Sequence, residues 1–277
     1  MSTFDSLSQE KDIFLPPKEI LKNCYVEDYD KLYAYSIKEN EKFWDETAKQ
    51  LSWFRHWDKV LDQSNPPFYK WFVGGKTNIA HNALDRHIST FRKNKLAIIW
   101  EGEDGNERVY TYFSLYKEVN KFANVLKSFG IKKGDTVTIY LPNIPEIAIS
   151  MLACAKIGAI HSVVYAGFSA LALRDRIIDA QSKLLITADG AYRGGKIVEL
   201  KKIADEAVTK APVVQTVIVV KRTCKEVSMD ATRDFYYDEL MKLPIANPYL
   251  KTEELDAEDP LFILYTSGTT GKRDIPI

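Results

Sequence analysis

The sequence predicts an α/β fold: a parallel sheet with helices on both faces, preceded by a helical, aromatic-rich N-terminal segment. Three observations carry that expectation. Short, near-continuously apolar runs recur at residues 96–100, 136–141, 159–165, 184–187, 214–220 and 261–265. Stretches with helical spacing separate several of them, the arrangement that a parallel sheet covered on both faces requires. Residues 1–90 read differently, holding Trp44, Trp53, Trp57 and Trp71 among the pairs Pro16-Pro17, Pro66-Pro67 and Gly74-Gly75.

In chain order, residues 29–50 are charged, with Leu32, Tyr35, Ile37 and Phe43 at roughly helical spacing. Helices this short do not build a core alone, so this segment reads as one that wraps onto something larger. The first apolar run, 96–100, ends in the turn signal of Gly102 to Gly105. Ser114 stands where an N-cap belongs, ahead of Leu115, Val119, Phe122, Ala123 and Leu126, and Gly130 stands at the stop. After the strand at 136–141, Pro145 opens a helix to about Gly158, because a first-turn residue needs no N–H. A strand at 159–165 leads to a helix at 169–181 with Leu173, Ile177 and Ile178 on one face. A helix over 198–208 then separates the strands at 184–187 and 214–220. In such sheets ligands bind beyond the carboxyl ends of the strands, which points to the residues after Leu141, Tyr165, Thr187 and Tyr265.

Bulk properties exclude several functions. Lys plus Arg equals Asp plus Glu at 38 each, so the chain lacks the basic field expected of a nucleic-acid or anionic-membrane binder. No apolar run approaches the roughly 20 residues of a membrane helix. Residues 1–10 show no secretory signal, and Cys24, Cys154 and Cys224 suit neither a disulfide framework nor a metal site. Together these fit a protein of the reducing cytoplasm.

Three post-strand segments carry chemistry. The first is Tyr265 followed by Thr266, Ser267, Gly268, Thr269, Thr270, Gly271 and Lys272. Glycines let backbone N–H groups approach oxygens, hydroxyls add donors and the lysine adds charge: a phosphate cradle. It is not a Walker A loop, because two residues rather than four separate its glycines. The second, Gly158 to Ser169, runs from a strand through Tyr165, Ala166 and Gly167 into a new helix, whose start offers a positive dipole end. The third, Ala188 to Lys196, sets Arg193 and Lys196 around Gly-Gly, which suits a phosphate and a purine face or, equally, a solvated turn. His161 reads as a packed core histidine. His81, Asp85, Arg86 and His87 read as a structural hydrogen-bond network rather than a metal or acid–base site.

The segment YTSGTTGK resembles the signature loop of adenylate-forming enzymes, and Asp256-Ala-Glu-Asp-Pro-Leu-Phe-Ile-Leu264 before it narrows the likeness to AMP-forming acetyl-CoA synthetases. Residues 71–78 and 82–87 look like that family's N-terminal signature. The resemblance spans residues 20–272 and implies an acetyl-CoA-synthetase-type segment over 1–90, with an incomplete AMP-binding domain over 91–277. It implies acetate, ATP and coenzyme A as substrates: ATP with acetate gives acetyl-adenylate and pyrophosphate, and the CoA thiol then displaces AMP. By position, Thr266 to Lys272 would hold ATP phosphates, and Tyr165, Ala166, Gly167, Arg193 and Lys196 the nucleotide end of CoA. Ala166 replaces a glycine commoner in the family. After Lys272 the family pattern reads Pro-Lys-Gly, whereas here Arg273-Asp-Ile-Pro-Ile277 follows. The contacts to adenine and ribose, the magnesium ligand, the acyl pocket and the C-terminal catalytic lysine fall outside the matched part. The expectation is therefore an N-terminal part, inactive alone. Its alternatives are a non-catalytic ATP- or CoA-binding fragment, or one half of a split enzyme with a separately encoded C-terminal remainder. Propionate or another short acid is the alternative substrate.

Overall fold

The computed structural model describes residues 16–265, which form two compact units divided between Gln50 and Leu51. The first unit contains helices α1 (Lys18–Leu21), α2 (Tyr29–Lys38) and α3 (Asn40–Ala48). Asp28 starts α2 by accepting the Lys31 N–H at 3.1 Å. The Tyr35 ring meets Phe43 edge-on at 5.9 Å, and its hydroxyl donates to Glu46 at 2.8 Å. No residue of α2 is buried, as expected of helices without a core of their own.

The second unit is built on β6 (Thr136–Tyr140), β7 (Ile160–Val163), β8 (Leu184–Ala188), β11 (Thr216–Val220), β12 (Asp234–Tyr236) and β14 (Phe262–Ile263). They form one sheet in the order β12-β11-β8-β6-β7-β14, with every neighbouring pair parallel. All residues of β6, β8 and β11 are buried, which is why these runs read as continuously apolar rather than alternating. The crossovers are α6 (Pro145–Lys156) from β6 to β7, α7 (Ala170–Asp179) from β7 to β8, and α8 (Leu200–Val208) from β8 to β11. Since β7 and β8 flank β6 on opposite sides, right-handed connections put α6 on one face and α7 and α8 on the other. The reversal makes the carboxyl edge beside β6 a topological switch point.

Around this sheet lie antiparallel pairs: β1 (Lys59–Asp62) with β2 (Lys70–Val73), β3 (Lys76–Thr77) with β13 (Leu255–Asp256), β4 (Leu96–Glu101) with β5 (Glu107–Thr111), and β9 (Ala191–Arg193) with β10 (Lys196–Val198). Residues 51–90, with the short helix α4 (Arg86–Ile88), belong to this larger unit, and β3 ties them to residues 255–256 through β13. Helix α5 (Tyr112–Ser128) follows β5 without a loop and buries Leu115, Val119, Phe122, Ala123 and Leu126, the face read from sequence. Its cap differs from expectation. Thr111, not Ser114, is the N-cap, and the Thr111 hydroxyl accepts the Ser114 N–H at 3.1 Å. The helix starts where the strand ends, one turn earlier than the apolar spacing suggested. Ile178 also departs from the expected buried face of α7: it is 40% exposed, while Leu173 and Ile177 are fully buried. Ile178 follows Ile177 directly, about 100° further round a helix of 3.6 residues per turn. Strand β12 escaped sequence reading because Asp234 interrupts its apolar character. Among the described residues no helix is long and apolar enough to cross a membrane.

Candidate functional site

The carboxyl ends of β6, β7, β8 and β11 open onto one cleft of about 310 Å³. Its walls include Leu141 to Ile144 after β6, Tyr165 to Gly167 after β7, Ala191 to Arg193 after β8 and Arg222 after β11, with Trp100 and Glu103 from β4 and its turn. Tyr165, Ala166, Gly167 and Arg193, separate in sequence, therefore share one site. Lys196 pairs with Arg193 across the hairpin but is exposed and is not part of the cleft wall.

Each predicted residue is held by local structure. The Tyr140 hydroxyl donates to the carbonyls of Phe168 at 2.8 Å and Ala166 at 3.3 Å, pinning the turn after β7 to the sheet. Burial pushes that phenol up to about 12, so it stays a neutral donor at physiological pH. Ser169 caps α7 by accepting the Ala172 N–H at 3.3 Å. Arg193 lies 5.7 Å from the Tyr165 ring centre, a cation–π contact. A Cβ at residue 167 would collide with the Tyr165 ring and stand 2.9 Å from an Arg193 guanidinium nitrogen, so glycine is what lets the two side chains close over the turn. On the third segment, β9 and β10 join through Gly194-Gly195, with φ of +57° and +70°, the double positive φ of a two-residue hairpin turn. The Gly195 N–H donates to Glu103 at 2.8 Å, fastening the tip to the turn after β4.

Sequence reading missed Arg222 and its surroundings. The Arg222 guanidinium lies 5.1 Å from the Trp100 ring and 4.7 Å from Tyr192, and forms a bidentate pair with Asp104 at 2.8 and 2.6 Å. The Arg222 hydrogen bond holds Asp104 well below the usual carboxylate range. Asp189, itself buried, accepts the N–H groups of Gly190, Arg222 and Thr223. This assembly fixes Tyr192 and therefore the strand carrying Arg193. The signal was available, since Lys221-Arg222-Thr223 directly follows a strand, as the other site segments do.

His161 and Asp85 lie in packed surroundings away from the cleft. His161 is 5% exposed, its ring 5.8 Å from Phe262, and burial pushes it down to about 4. Asp85 accepts from the buried Lys156 ammonium with both oxygens at 2.8 Å and from the Thr252 hydroxyl. Among the described residues no three His, Cys, Asp or Glu side chains form a group that would hold a metal ion. The residues expected to form a phosphate loop, Thr266, Ser267, Gly268, Thr269, Thr270, Gly271 and Lys272, lie outside the described residues. Tyr265, immediately before them, donates its hydroxyl to Asp179 of α7 at 2.8 Å.

The profile of the family described as AMP-binding enzyme matches residues 84–273. The chain belongs to that family. Residues 29–83 match the family described as acetyl-coenzyme A synthetase N-terminus. The acetyl-coenzyme A synthetase of Pyrobaculum arsenaticum is 51% identical, over 96% of this chain and 42% of the relative. That of Chlorobaculum tepidum is 46% identical, over 98% and 41%. Among solved structures, the acetoacetyl-CoA synthetase of Streptomyces lividans superposes with a TM-score of 0.80 at 27% identity, covering 88% of this chain and 37% of that one. The chain thus spans 42% and 41% of the length of these two curated relatives.

Proposed function

We propose that this chain is the N-terminal part of an AMP-forming acetate–CoA ligase, with the cleft receiving the nucleotide end of coenzyme A and residues 266–272 cradling the phosphates of ATP. The observation that carries this reading is the convergence of Tyr165, Ala166, Gly167 and Arg193 on one cleft at the topological switch point. Arg193 would meet CoA phosphate oxygens with charge-assisted hydrogen bonds, and the exposed Tyr165 ring offers an adenine a stacking face. Lys196, on the hairpin outside the cleft wall, would add a second cation only to a phosphate that reaches past Arg193. In the reaction, an acetate oxygen attacks the α-phosphorus of ATP and pyrophosphate leaves. The CoA sulfur then attacks the acetyl carbon of the adenylate and AMP leaves. Among the described residues no group of His, Cys, Asp or Glu would hold a magnesium ion, and the ligand that the resemblance implies lies outside the matched part.

The relatives' names and the N-terminal family match support acetate over longer acids. A single acyl-pocket methylene discriminates by roughly 1–3 kcal/mol, so propionate would be a poor rather than a forbidden substrate. Arg193→Ala tests the site assignment. Removing one charge-assisted contact should weaken CoA binding to the 277-residue protein by about 10- to 100-fold in calorimetric titration while leaving ATP binding near wild type. Loss of ATP binding with unchanged CoA affinity would show that Arg193 supports the fold rather than the ligand.

A further inference from the structure

We propose that Arg176 is a positioning residue shared by the two ligand sites, holding the turn after β7 and the strand end that leads into the phosphate loop. The inference rests on the reading of the cleft and the loop given above, and it adds a residue that touches neither ligand. Arg176 lies on α7, at the margin of the face anchored by the fully buried Leu173 and Ile177. Its guanidinium sits 4.7 Å from the Phe168 ring centre and 5.1 Å from that of Tyr265. Phe168 closes the turn after β7, and its ring meets Tyr165 edge-on at 5.8 Å, while Tyr165 in turn carries Arg193 at 5.7 Å. Tyr265 is the residue immediately before Thr266. Its hydroxyl donates to Asp179, one turn along α7, and at 3.3 Å to the carbonyl of Arg176 itself. One guanidinium therefore links the aromatic side of the CoA turn to the root of the phosphate loop.

The chemistry of Arg176 favours this role over that of a surface charge. The side chain is half-buried, and among the described residues its guanidinium forms no salt bridge, donating only to the Ala172 carbonyl at 3.0 Å. A planar, weakly hydrated cation with no carboxylate partner is suited to lie against aromatic faces. The neighbouring Arg174 contrasts with it: that side chain pairs with Asp175 at 2.6 Å, on the same helix, and meets neither ring. The Tyr140 hydroxyl fixes the backbone of the turn from the sheet side, at Ala166 and Phe168. Arg176 holds the Phe168 ring, so the turn has one tether to the sheet and one to α7.

The experiment is calorimetric titration of CoA, and separately of ATP with magnesium, into the 277-residue protein and three variants, with melting temperatures recorded alongside. Arg176→Met keeps the stem and removes the charge; Arg176→Lys keeps the charge; Arg174→Met is the control. The expected result is that Arg176→Met raises both dissociation constants about tenfold, consistent with losing a partly desolvated cation–π pair at each ring. Arg176→Lys should recover most of that loss, and Arg174→Met should match wild type. If Arg176→Met leaves either constant within twofold of wild type, the shared role is wrong while the binding assignments stand. If both constants rise, Lys fails to recover them and the melting temperature falls, the residue is only scaffold and the inference is overturned. If the wild-type protein binds neither ligand, the reading of the cleft and loop fails and this inference with it.

Discussion

Lys272→Ala should lower acetate-dependent pyrophosphate–ATP exchange by about 10- to 100-fold, the loss expected for one charge-assisted hydrogen bond to a phosphate. The assay is best run on this chain joined to the remaining length of the Pyrobaculum arsenaticum relative, which it matches at 51% identity. Parallel strand β14 ends at Ile263, and within nine residues the chain supplies Ser267, Thr269 and Thr270 hydroxyls, two glycines and the lysine. Such a segment at the carboxyl edge of a parallel sheet is where phosphate oxygens are met by backbone and side-chain donors together. The ammonium offsets charge that develops as pyrophosphate leaves, so the loss should fall on the rate of exchange more than on folding. Unchanged exchange would remove Lys272 from the phosphate site.

The second large effect concerns stability. Asp234→Ala should destabilise the protein by about 3–5 kcal/mol, because it strips a partner from the buried Lys201 and the half-buried Arg233. Lys201 is 1% exposed and Asp234 0% by side chain, and they pair at 2.8 Å. Arg233 donates to the same carboxylate at 2.7 Å, and Lys201 also reaches Asp205 at 2.7 Å. These contacts stitch edge strand β12 to α8 and so hold the sheet margin nearest the Arg222 assembly. At about 2–4 °C per kcal/mol for a domain of this size, the melting temperature should fall by roughly 10 °C. The pH dependence has a definite sign. Burial pushes the Asp234 carboxyl up, but hydrogen bonds from Arg233 and Lys201 outweigh it and hold it below the ordinary value of 3.8. A depressed carboxylate stabilises the fold above its unfolded value and loses that contribution as pH falls through the folded one. The wild type should therefore lose this increment only below about pH 4, and the melting-temperature gap to Asp234→Ala should narrow there. A gap constant from pH 7 to pH 3 would show that the ion pairs are not its source.

The elements legible in sequence were those whose signal is local. Strands β6, β8 and β11 are buried on both faces and read as continuous apolar runs, and Pro145 marked its helix start because proline is tolerated at a first turn. The α5 cap was misplaced because Thr111 lies inside a strand pattern and caps from its last residue. Tyr165, Gly167 and Arg193 were named from the family resemblance of two segments that follow strands, and only the fold shows that the Tyr165 ring and the Arg193 guanidinium come together. The post-strand position of Arg222 was legible, but its stacking on Trp100 and Tyr192 was not, because those contacts join a hairpin, a strand and a post-strand loop that no single window of sequence contains.

On the proposed reading, the cleft after β6, β7 and β8 receives the nucleotide end of coenzyme A. The most direct measurement divides CoA in two and titrates each half, 3′-phospho-ADP and pantetheine, separately into the 277-residue protein and its Gly167→Val variant. The expected result is that 3′-phospho-ADP binds the wild-type protein and competes with CoA. Gly167→Val should abolish that binding, because the added side chain displaces the Tyr165 ring and the Arg193 guanidinium. Pantetheine should show no measurable binding by itself. Binding of pantetheine without 3′-phospho-ADP, or nucleotide binding indifferent to Gly167→Val, would contradict the assignment.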